Sequence, residues 1–254
     1  MKNGDDLVAK QKQEQILKLV THSFYKELMN YGVDASDIVT VSVNLLDHIT
    51  GSNGQAAGNN EYFNTLFKLE DIQDSWKEKR ELSINGVSIK PLVKEQISQV
   101  KMWLDSPVIA NTFISFFPKN KELLADYMIG QKEHQYFAIY YDKTNFVGII
   151  GAEKIETQFK KLEMKKFIGD HNYRGKGIGK KATFLFLYYV FMILNFNKVY
   201  IYSIDTNITN INLNSRFGFG LEGILFDEVC FNGEYMDVLR MGLLKDTWLE
   251  IFNS

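Results

Sequence analysis

Apolar residues in the first part of the chain recur at the spacing of an α-helix. Within residues 5–31 they fall three or four positions apart, which predicts a helix that ends at Gly32. A second helix is predicted over residues 34–50. The decamer GSNGQAAGNN that follows has no residues suited to a core and predicts a flexible linker. The expected organisation is a helical extension over 1–50, a linker over 51–60 and a folded domain over 61–254.

The pattern after the linker changes to short segments of both kinds. Helices are predicted over 61–81 and over 94–134, where Pro107 and Pro118 interrupt the apolar periodicity. Strands are predicted for GVSIKPL, QYFAIYY, FVGIIGAEKIE, KLEMKKFIG and KVYIYSI, followed by a short helix and two strands joined by the Asn-Gly turn at 232–233. Because strands and helices do not alternate strictly, the predicted fold class is α+β, with a mixed sheet flanked by helices.

One apolar run, over residues 182–196, has to be tested as a membrane span. It is shorter than the roughly 20 residues that a spanning helix needs, and it contains tyrosine and asparagine. A helix buried against the sheet is the better interpretation, so no membrane partner is expected. The polar N-terminus lacks the apolar core of a secretory signal.

Charge and cysteine content exclude several classes of function. The formal net charge of −2 gives no support to binding of nucleic acid. The single cysteine, Cys230, permits neither an internal disulfide nor a cysteine metal cluster, and the four histidines have no metal-ligand spacing. We expect a cytoplasmic protein that holds no metal.

A glycine-rich basic turn lies directly before the apolar run. Seven of the eight residues from Arg174 to Lys181 are glycine or basic. The first N–H groups of a helix have no intrahelical acceptor and lie at the positive end of its dipole, and glycines let an anion approach the backbone. The turn therefore predicts a phosphate site mounted on a buried helix, although a simple connector is the alternative. Neither the P-loop spacing nor the dinucleotide fingerprint is present.

The motif Arg-x-x-Gly-x-Gly over 174–179 resembles the pyrophosphate-binding motif of the GNAT family of N-acetyltransferases. A second stretch, with Asn207, Asn210, RFGF at 216–219 and LEG at 221–223, is similar to that family's next conserved block. The closing FNGEYMDVLRMGLLKDTW looks like the final hairpin of the branch that holds ribosomal-protein, polyamine and nucleotide-sugar acetyltransferases. The resemblance covers about residues 82–250 and implies a mostly antiparallel GNAT-like sheet, with the helical extension outside it.

The resemblance implies acetyl-CoA as the cosubstrate. The strand KLEMKKFIG would diverge from KVYIYSI, and the thioester would lie between them, with backbone N–H groups of the first strand holding the acetyl carbonyl. The turn would hold the pyrophosphate, and an asparagine would bind the pantetheine arm. The residues assigned to acetyl-CoA in this way are Phe167, Ile168, Arg174, Gly175, Lys176, Gly177, Ile178, Gly179, Lys180, Asn207 and Asn210.

The catalytic groups depart from the family pattern. Many relatives have a tyrosine, the acid for the departing thiolate, seven residues after the first conserved asparagine, where this chain has Asn214. Its amide can hydrogen-bond the sulfur or a water. The candidate base is Glu163, although strand alternation points it away from the substrate unless a bulge corrects the register. Glu153 and a base acting through water are the rivals, and a solvated edge carboxylate is the plain alternative.

The acceptor is less constrained by the sequence. A small-molecule amine is expected, with an amino sugar on a nucleotide as the favoured acceptor and a protein N-terminus or a polyamine as the alternatives. The missing tyrosine also allows a non-catalytic acyl-CoA sensor. Phe113, Phe116 and Phe117 fall where the family often walls its acceptor pocket, and they fit a core role equally well. The N-terminal helices are expected to support packing or a homodimer.

Overall fold

A computed structural model of the chain describes residues 62–110, 117–204, 208–231 and 233–253, with scattered positions between 14 and 41. Two compact units are present, Met1–Gly58 and Asn59–Ser254. In the first unit, the described positions from 14 to 29 are helical. Gly32 has φ +72°, and the N–H of Val33 donates to the carbonyl of Leu28 over 3.0 Å, which confirms the predicted helix end. The predicted linker lies outside the described residues.

The second unit is built on one sheet, with nine strands in the described residues. They are β1 (Gln73–Ser75), β2 (Glu81–Ile84), β3 (Val87–Pro91), β4 (Gln135–Tyr141), β5 (Asn145–Glu156), β6 (Lys161–Ile168), β7 (Lys198–Ile204), β8 (Gly220–Phe231) and β9 (Glu234–Leu244). Their spatial order is β1–β2–β3–β4–β5–β6–β7–β9–β8. Every neighbouring pair is antiparallel except β6 and β7, which are parallel. The predicted mixed, mostly antiparallel sheet is confirmed.

Helices cover both faces of this sheet. They are α1 (Trp76–Lys79), α2 (Ile97–Leu104), α3 (Pro107–Ala110), α4 (Lys121–Ala125), α5 (Ile178–Tyr188), α6 (Ile208–Ser215) and α7 (Lys245–Phe252). The larger apolar core contains α5 and α7, and the smaller core joins α2 and α4 to the opposite face of β4 and β5. The apolar run is buried, as predicted, and no described helix is long and apolar enough to cross a membrane.

The predicted helix over 61–81 is wrong. Within 62–81 the chain forms two 3₁₀ turns, β1 and α1, and β2 begins at Glu81. Tertiary contacts override the helical spacing here, because Phe63 and Phe67 pack separately against Phe217, with ring centroids 4.8 and 6.1 Å away. The missed β2–β3 hairpin turns at residues 85–86, an Asn-Gly pair with φ +45° and +80°, which is the sequence signal for that turn.

Strands β6 and β7 diverge, as the family resemblance implies. Their pairing covers Lys161–Glu163 of β6 and ends where Glu163 meets Tyr200. Beyond that point β6 pairs only with β5, and β7 pairs only with β9. The result is a wedge, the β6–β7 gap, with its vertex at Glu163 and Tyr200 and one unpaired edge on each strand.

Candidate functional site

The turn before α5 has the geometry of an anion site. Gly175 and Gly177 both have φ +75°, a conformation that favours glycine, and a Cβ added at either would meet no atom within 4 Å. Helix α5 begins at Ile178, directly after the second of them. Among the described residues, no acceptor receives the backbone N–H groups of residues 175–179. These donors fit the pyrophosphate of acetyl-CoA.

Basic side chains hold and charge this turn. The guanidinium of Arg174 donates from Nε to the carbonyl of Ile168 over 3.0 Å and from an Nη to the carbonyl of Gly169 over 3.4 Å. Arg174 therefore fastens the turn to the end of β6. The ammonium groups of Lys176 and Lys180 each lie 5.0 Å from the centroid of an aromatic ring, so both charges stay beside the turn.

The other residues assigned to acetyl-CoA differ in what they offer. Ile178 is buried, so its backbone N–H is the group available to a ligand. Phe167 packs edge-on against a tryptophan of α2 at 6.3 Å, next to the unpaired edge of β6. Asn210 donates from Nδ2 to Oγ of Ser203 on β7 over 3.3 Å. Asn207 lies outside the described residues, as do Phe113 and Phe116.

An open cavity of about 530 Å³ borders the turn on the side of α2 and α3. Trp103, Gly169, His171 and Arg174 are among its lining residues. Its volume falls in the range of about 300–1,000 Å³ typical of small-molecule sites. The turn therefore adjoins space that a ligand can occupy.

Glu163 lies at the vertex of the β6–β7 gap, on the face of β6 that α2 and α4 cover. It is buried, and its carboxylate forms ion pairs with Lys165 and, over 3.0 Å, with Lys154. Opposite it in the register is Glu153, beside a β5 bulge in which Lys154 has φ +49°. The plain alternative of a solvated edge carboxylate does not describe this residue. The two carboxylates share one face of the sheet.

Two tyrosine hydroxyls on this face contact Glu153. The hydroxyls of Tyr127 and Tyr136 both donate to Oε1 of Glu153, the first over 2.9 Å. Burial, followed by the charge of the Glu153 carboxylate, raises the pKa of both hydroxyls well above the usual value. Burial and the charge of Glu163 do the same to the pKa of Tyr200. The carboxylates of Glu153 and Glu163 thus act on the tyrosines of this face, while Lys154 and Lys165 compensate the charge of Glu163.

The opposite face of β6 carries one cation among neutral partners. Nζ of Lys166 donates to Oγ1 of Thr183 over 3.0 Å and to Oδ1 of Asn214 over 2.8 Å. Thr183 donates onward to the carbonyl of Gly179, in the first turn of α5, over 2.7 Å. Burial lowers the pKa of the Lys166 ammonium to about 7.

These contacts continue across the β6–β7 gap. Asn214 is fully buried, and its Nδ2 donates to Oδ1 of Asn210 over 3.2 Å. Because Asn210 in turn bonds Ser203, one polar chain runs from α5 through β6 and α6 to β7. Asn214, singled out from the sequence, is thus joined to Lys166, whose side chain the sequence analysis did not single out.

A sequence signal for Lys166 exists. The side chains of Met164 and Ile168 point to the core side of β6, and strand alternation places Lys166 between them on that side. A lysine at an inward position of a strand calls for a specific partner. In the described residues, no group of three or more side chains is arranged to hold a metal ion.

Comparison with known proteins identifies the family of this chain. The model of the acetyltransferase (GNAT) domain matches residues 89–220. The spermidine N(1)-acetyltransferase of Escherichia coli is 25% identical over 177 residues, covering 66% of this chain and 90% of that protein. The spermine/spermidine N(1)-acetyltransferase of Bacillus subtilis is 27% identical over 163 residues, covering 61% and 99%.

Solved structures show the same fold. A spermidine/spermine N-acetyltransferase from Vibrio cholerae superimposes with a TM-score of 0.58 at 22% identity, covering 65% of this chain and 97% of that one. A dodecameric spermidine N-acetyltransferase from the same organism gives a TM-score of 0.57 at 23% identity, covering 65% and 96%. Together with the family match, the divergent strands and the anion-binding turn, these likenesses show that the chain belongs to the GNAT family and is an N-acetyltransferase that uses acetyl-CoA as its cosubstrate.

Proposed function

We propose that this enzyme acetylates a primary amine of a polyamine such as spermidine or spermine. The observation that carries the proposal is the likeness, over most of their length, to relatives named for these substrates. The preference for an amino sugar on a nucleotide, drawn from the sequence, finds no support in these relatives. It is replaced by polyamine, which the sequence analysis held as an alternative.

Two buried carboxylates near the vertex, one of them paired with Lys154 and Lys165, offer partners for the ammonium groups of an acceptor. Glu153 and Glu163 are buried on one face of the sheet, and their charges contribute to the raised pKa values of Tyr127 and Tyr136. Phe117 packs edge-on against both tyrosine rings, with centroids 5.7 and 6.3 Å away. Apolar walls with carboxylates at one end suit an aliphatic chain that carries ammonium groups.

The reaction follows from this arrangement. The N–H donors of the turn hold the pyrophosphate, and the unpaired edge of β6 holds the pantetheine arm and the acetyl carbonyl, so the thioester carbon lies near the vertex. The amine approaches from the face covered by α2 and α4. Only a neutral amine attacks, so its proton passes to a carboxylate of that face, directly or through water. Glu163 is the candidate base at the vertex, although its ion pairs with Lys154 and Lys165 weaken it as a proton acceptor, and Glu153 is the alternative base.

A panel of acceptors tests this proposal. Release of the CoA thiol is measured with spermidine, spermine, a nucleotide-linked amino sugar and a peptide with a free N-terminus. We expect kcat/KM for the polyamines to exceed the others by at least about tenfold, which is about 1.4 kcal/mol of transition-state binding. Glu153→Gln should lower the polyamine value by about tenfold or more, while the exposed control Glu70→Gln leaves it unchanged.

Other outcomes point elsewhere. A preference for the amino sugar or the peptide would overturn the polyamine assignment and leave the acetyltransferase in place. Binding of acetyl-CoA without thiol release for any amine would favour the sensor alternative.

A self-association through residues 1–50 stays a prediction, which is tested by comparing the molar mass of the full chain with that of residues 59–254 by light scattering. Loss of association in the shorter chain would support it, whereas an unchanged state would place the interface in the acetyltransferase domain.

A further inference from the structure

Lys166 lies beside the β6–β7 gap, next to Asn214. It projects from the unpaired part of β6 toward α5 and α6, and its Nζ is 2.8 Å from Oδ1 of Asn214. In the family pattern, the position of Asn214 is the one that carries the tyrosine acid for the departing thiolate. Asparagine is shorter than tyrosine by most of a ring, and the lysine head group lies directly against it.

One of the three N–H donors of the Lys166 ammonium group is available to a ligand. An ammonium group has three N–H donors, and in the described part of the chain two acceptors receive them, on Thr183 and Asn214. Both acceptors are buried and are themselves held, Thr183 by the carbonyl of Gly179 and Asn214 by Asn210. The orientation of Nζ is therefore fixed from two sides.

Among the described residues, the surroundings of Lys166 contain no counter-charge. Helix α5 contributes Thr183, α6 contributes Asn210 and Asn214, and β7 contributes Ser203 to the polar chain around it. On β5 its register partner is Ile150. None of these groups carries a charge, and burial is the cause of the lowered pKa of Lys166. A lysine kept only for packing would be less costly as methionine, which suggests that the ammonium has a use.

We propose that Lys166 is the proton donor to the sulfur of CoA, in place of the tyrosine that this chain lacks. The proposal rests on acetyl transfer from acetyl-CoA, and it is independent of which amine is the acceptor. Asn214 is then a positioning residue, which holds the ammonium through its Oδ1.

The proton balance is complete. The amine nitrogen forms a bond to the acetyl carbon, and the C–S bond breaks with its electron pair on sulfur. The ammonium of Lys166 gives one proton to that sulfur and becomes a neutral amine. The acetylated nitrogen loses its proton to a carboxylate at the vertex or to water, and Lys166 regains a proton from solvent. A donor with a pKa of about 7 is suited to this exchange, because both forms are populated near neutral pH.

The first test is binding and needs no acceptor. CoA and desulfo-CoA, which lacks the thiol, are titrated calorimetrically into the wild type, Lys166→Met and the control Lys161→Met, whose lysine pairs with Glu156 at the far end of β6. We expect the wild type and the control to prefer CoA by about tenfold, as a hydrogen bond to a charged group predicts. Lys166→Met should bind both ligands equally. An unchanged preference in Lys166→Met would overturn the proposal.

The second test is kinetic. Lys166→Met should lower kcat by about 100-fold or more while KM for acetyl-CoA changes by less than about threefold. The alkaline limb of the kcat profile should vanish in this variant and move to higher pH in Lys166→Arg, whose charge does not titrate. Adding Asn214→Tyr to Lys166→Met restores the family's acid and should recover at least about tenfold. A wild-type profile in Lys166→Met would contradict the assignment.

A third measurement uses the wild type alone, in case the variant does not fold. The ¹³Cε resonance of Lys166 is followed by NMR as CoA or desulfo-CoA is added. A shift that requires the sulfur supports the proposal, and equal shifts with both ligands overturn it. If sulfur dependence is present and polyamines are not acetylated, the acceptor assignment fails and the role of Lys166 stands.

Discussion

Lys165 and Lys166 are neighbours in sequence, yet their ammonium groups lie on opposite faces of β6 in opposite electrostatic settings. Lys165 pairs with the buried carboxylate of Glu163, on the face covered by α2 and α4. Among the described residues, Lys166 bonds the neutral oxygens of Thr183 and Asn214, on the face covered by α5 and α6. Strand alternation, acting on two adjacent identical residues, separates a structural ion pair from a titratable group.

The presence or absence of a counter-ion decides which of these two lysines can exchange its proton. A charge with a fixed counter-ion in a buried site contributes to the structure and is costly to separate. A charge among neutral dipoles is costly to bury, so its proton is held weakly, as the lowered pKa of Lys166 shows. The two faces thereby suit different tasks, one holding a cationic acceptor beside carboxylates and the other supplying a proton.

The largest expected effect tests the structural side of the comparison. Glu163→Gln removes the counter-charge of Lys165, whose side chain is only 10% exposed. We expect the free energy of unfolding to fall by about 3–5 kcal/mol, as for other broken buried ion pairs. Thr183→Val, on the opposite face, should cost about 1–2 kcal/mol, because it removes the hydroxyl that bonds Nζ of Lys166 and the carbonyl of Gly179 but breaks no ion pair. Urea unfolding at pH 7.5 measures both, and equal losses would contradict the distinction between the faces.

The next effect concerns the turn that both faces of β6 lead into. Gly177→Glu places a negative charge beside the N–H donors and a side chain at φ +75°, so the dissociation constant of acetyl-CoA should rise about 100-fold, or about 2.7 kcal/mol. Gly233→Glu is the matched control, since Gly233 has φ +87° and equally open surroundings, and it lies in the turn of the β8–β9 hairpin. Calorimetry should find that Gly233→Glu binds acetyl-CoA as tightly as the wild type. A similar loss in both variants would show that strain, and not the anion site, is responsible.

A third change makes the two lysines alike. Asn214→Asp puts a carboxylate beside Nζ of Lys166, where an opposite charge at this range raises a pKa by about 1–3 units. The pKa of Lys166 should then move from about 7 to about 8 or above, and NMR titration of its ¹³Cε resonance measures the shift. An unmoved pKa would mean that the missing counter-charge is not what distinguishes Lys166 from Lys165.

The smallest effect is a slope of stability against pH. The folded chain releases the Lys166 proton near pH 7, whereas an unfolded lysine keeps it to about pH 10.4. Between these values the unfolded chain binds more protons, so Lys166 makes the free energy of unfolding rise with pH, by at most about 1.4 kcal/mol per unit. Urea unfolding at pH 7, 8 and 9 should show this rise in the wild type and in Lys165→Met. Lys166→Met should lack this rise. If the free energy of unfolding still rises with pH in Lys166→Met, another group is responsible.

Much of the fold was accessible from the sequence because local signals agreed with tertiary structure. Strands β3 to β9 follow runs of apolar and β-branched residues, and the β8–β9 hairpin follows the Asn-Gly pair at 232–233. The glycine turn before an apolar helix was also predicted, and its two glycines have the positive φ that this conformation requires. The helical spacing gave a wrong prediction for the segment 62–81, because its aromatic residues reach the core from 3₁₀ turns and a short helix and not from one continuous helix.

The catalytic groups show the limit of the same reasoning. Glu163 and Asn214 were identified from the sequence, but the residues that contact them were not. Glu163 pairs with Lys154 and Lys165, and Asn214 accepts a hydrogen bond from Lys166. Asn214 lies 48 residues from Lys166, and no local pattern links residues so far apart. Only the divergence of β6 from β7 brings them together.

The sequence by itself determined the glycine turn before α5, the succession of the central strands along the chain and the family, because each depends on backbone conformation and short-range spacing. The tertiary structure alone decided which charges are compensated. Burial and counter-charge depend on which elements pack on each face of β6, and that packing makes Lys165 part of an ion pair and leaves Lys166 with an exchangeable proton.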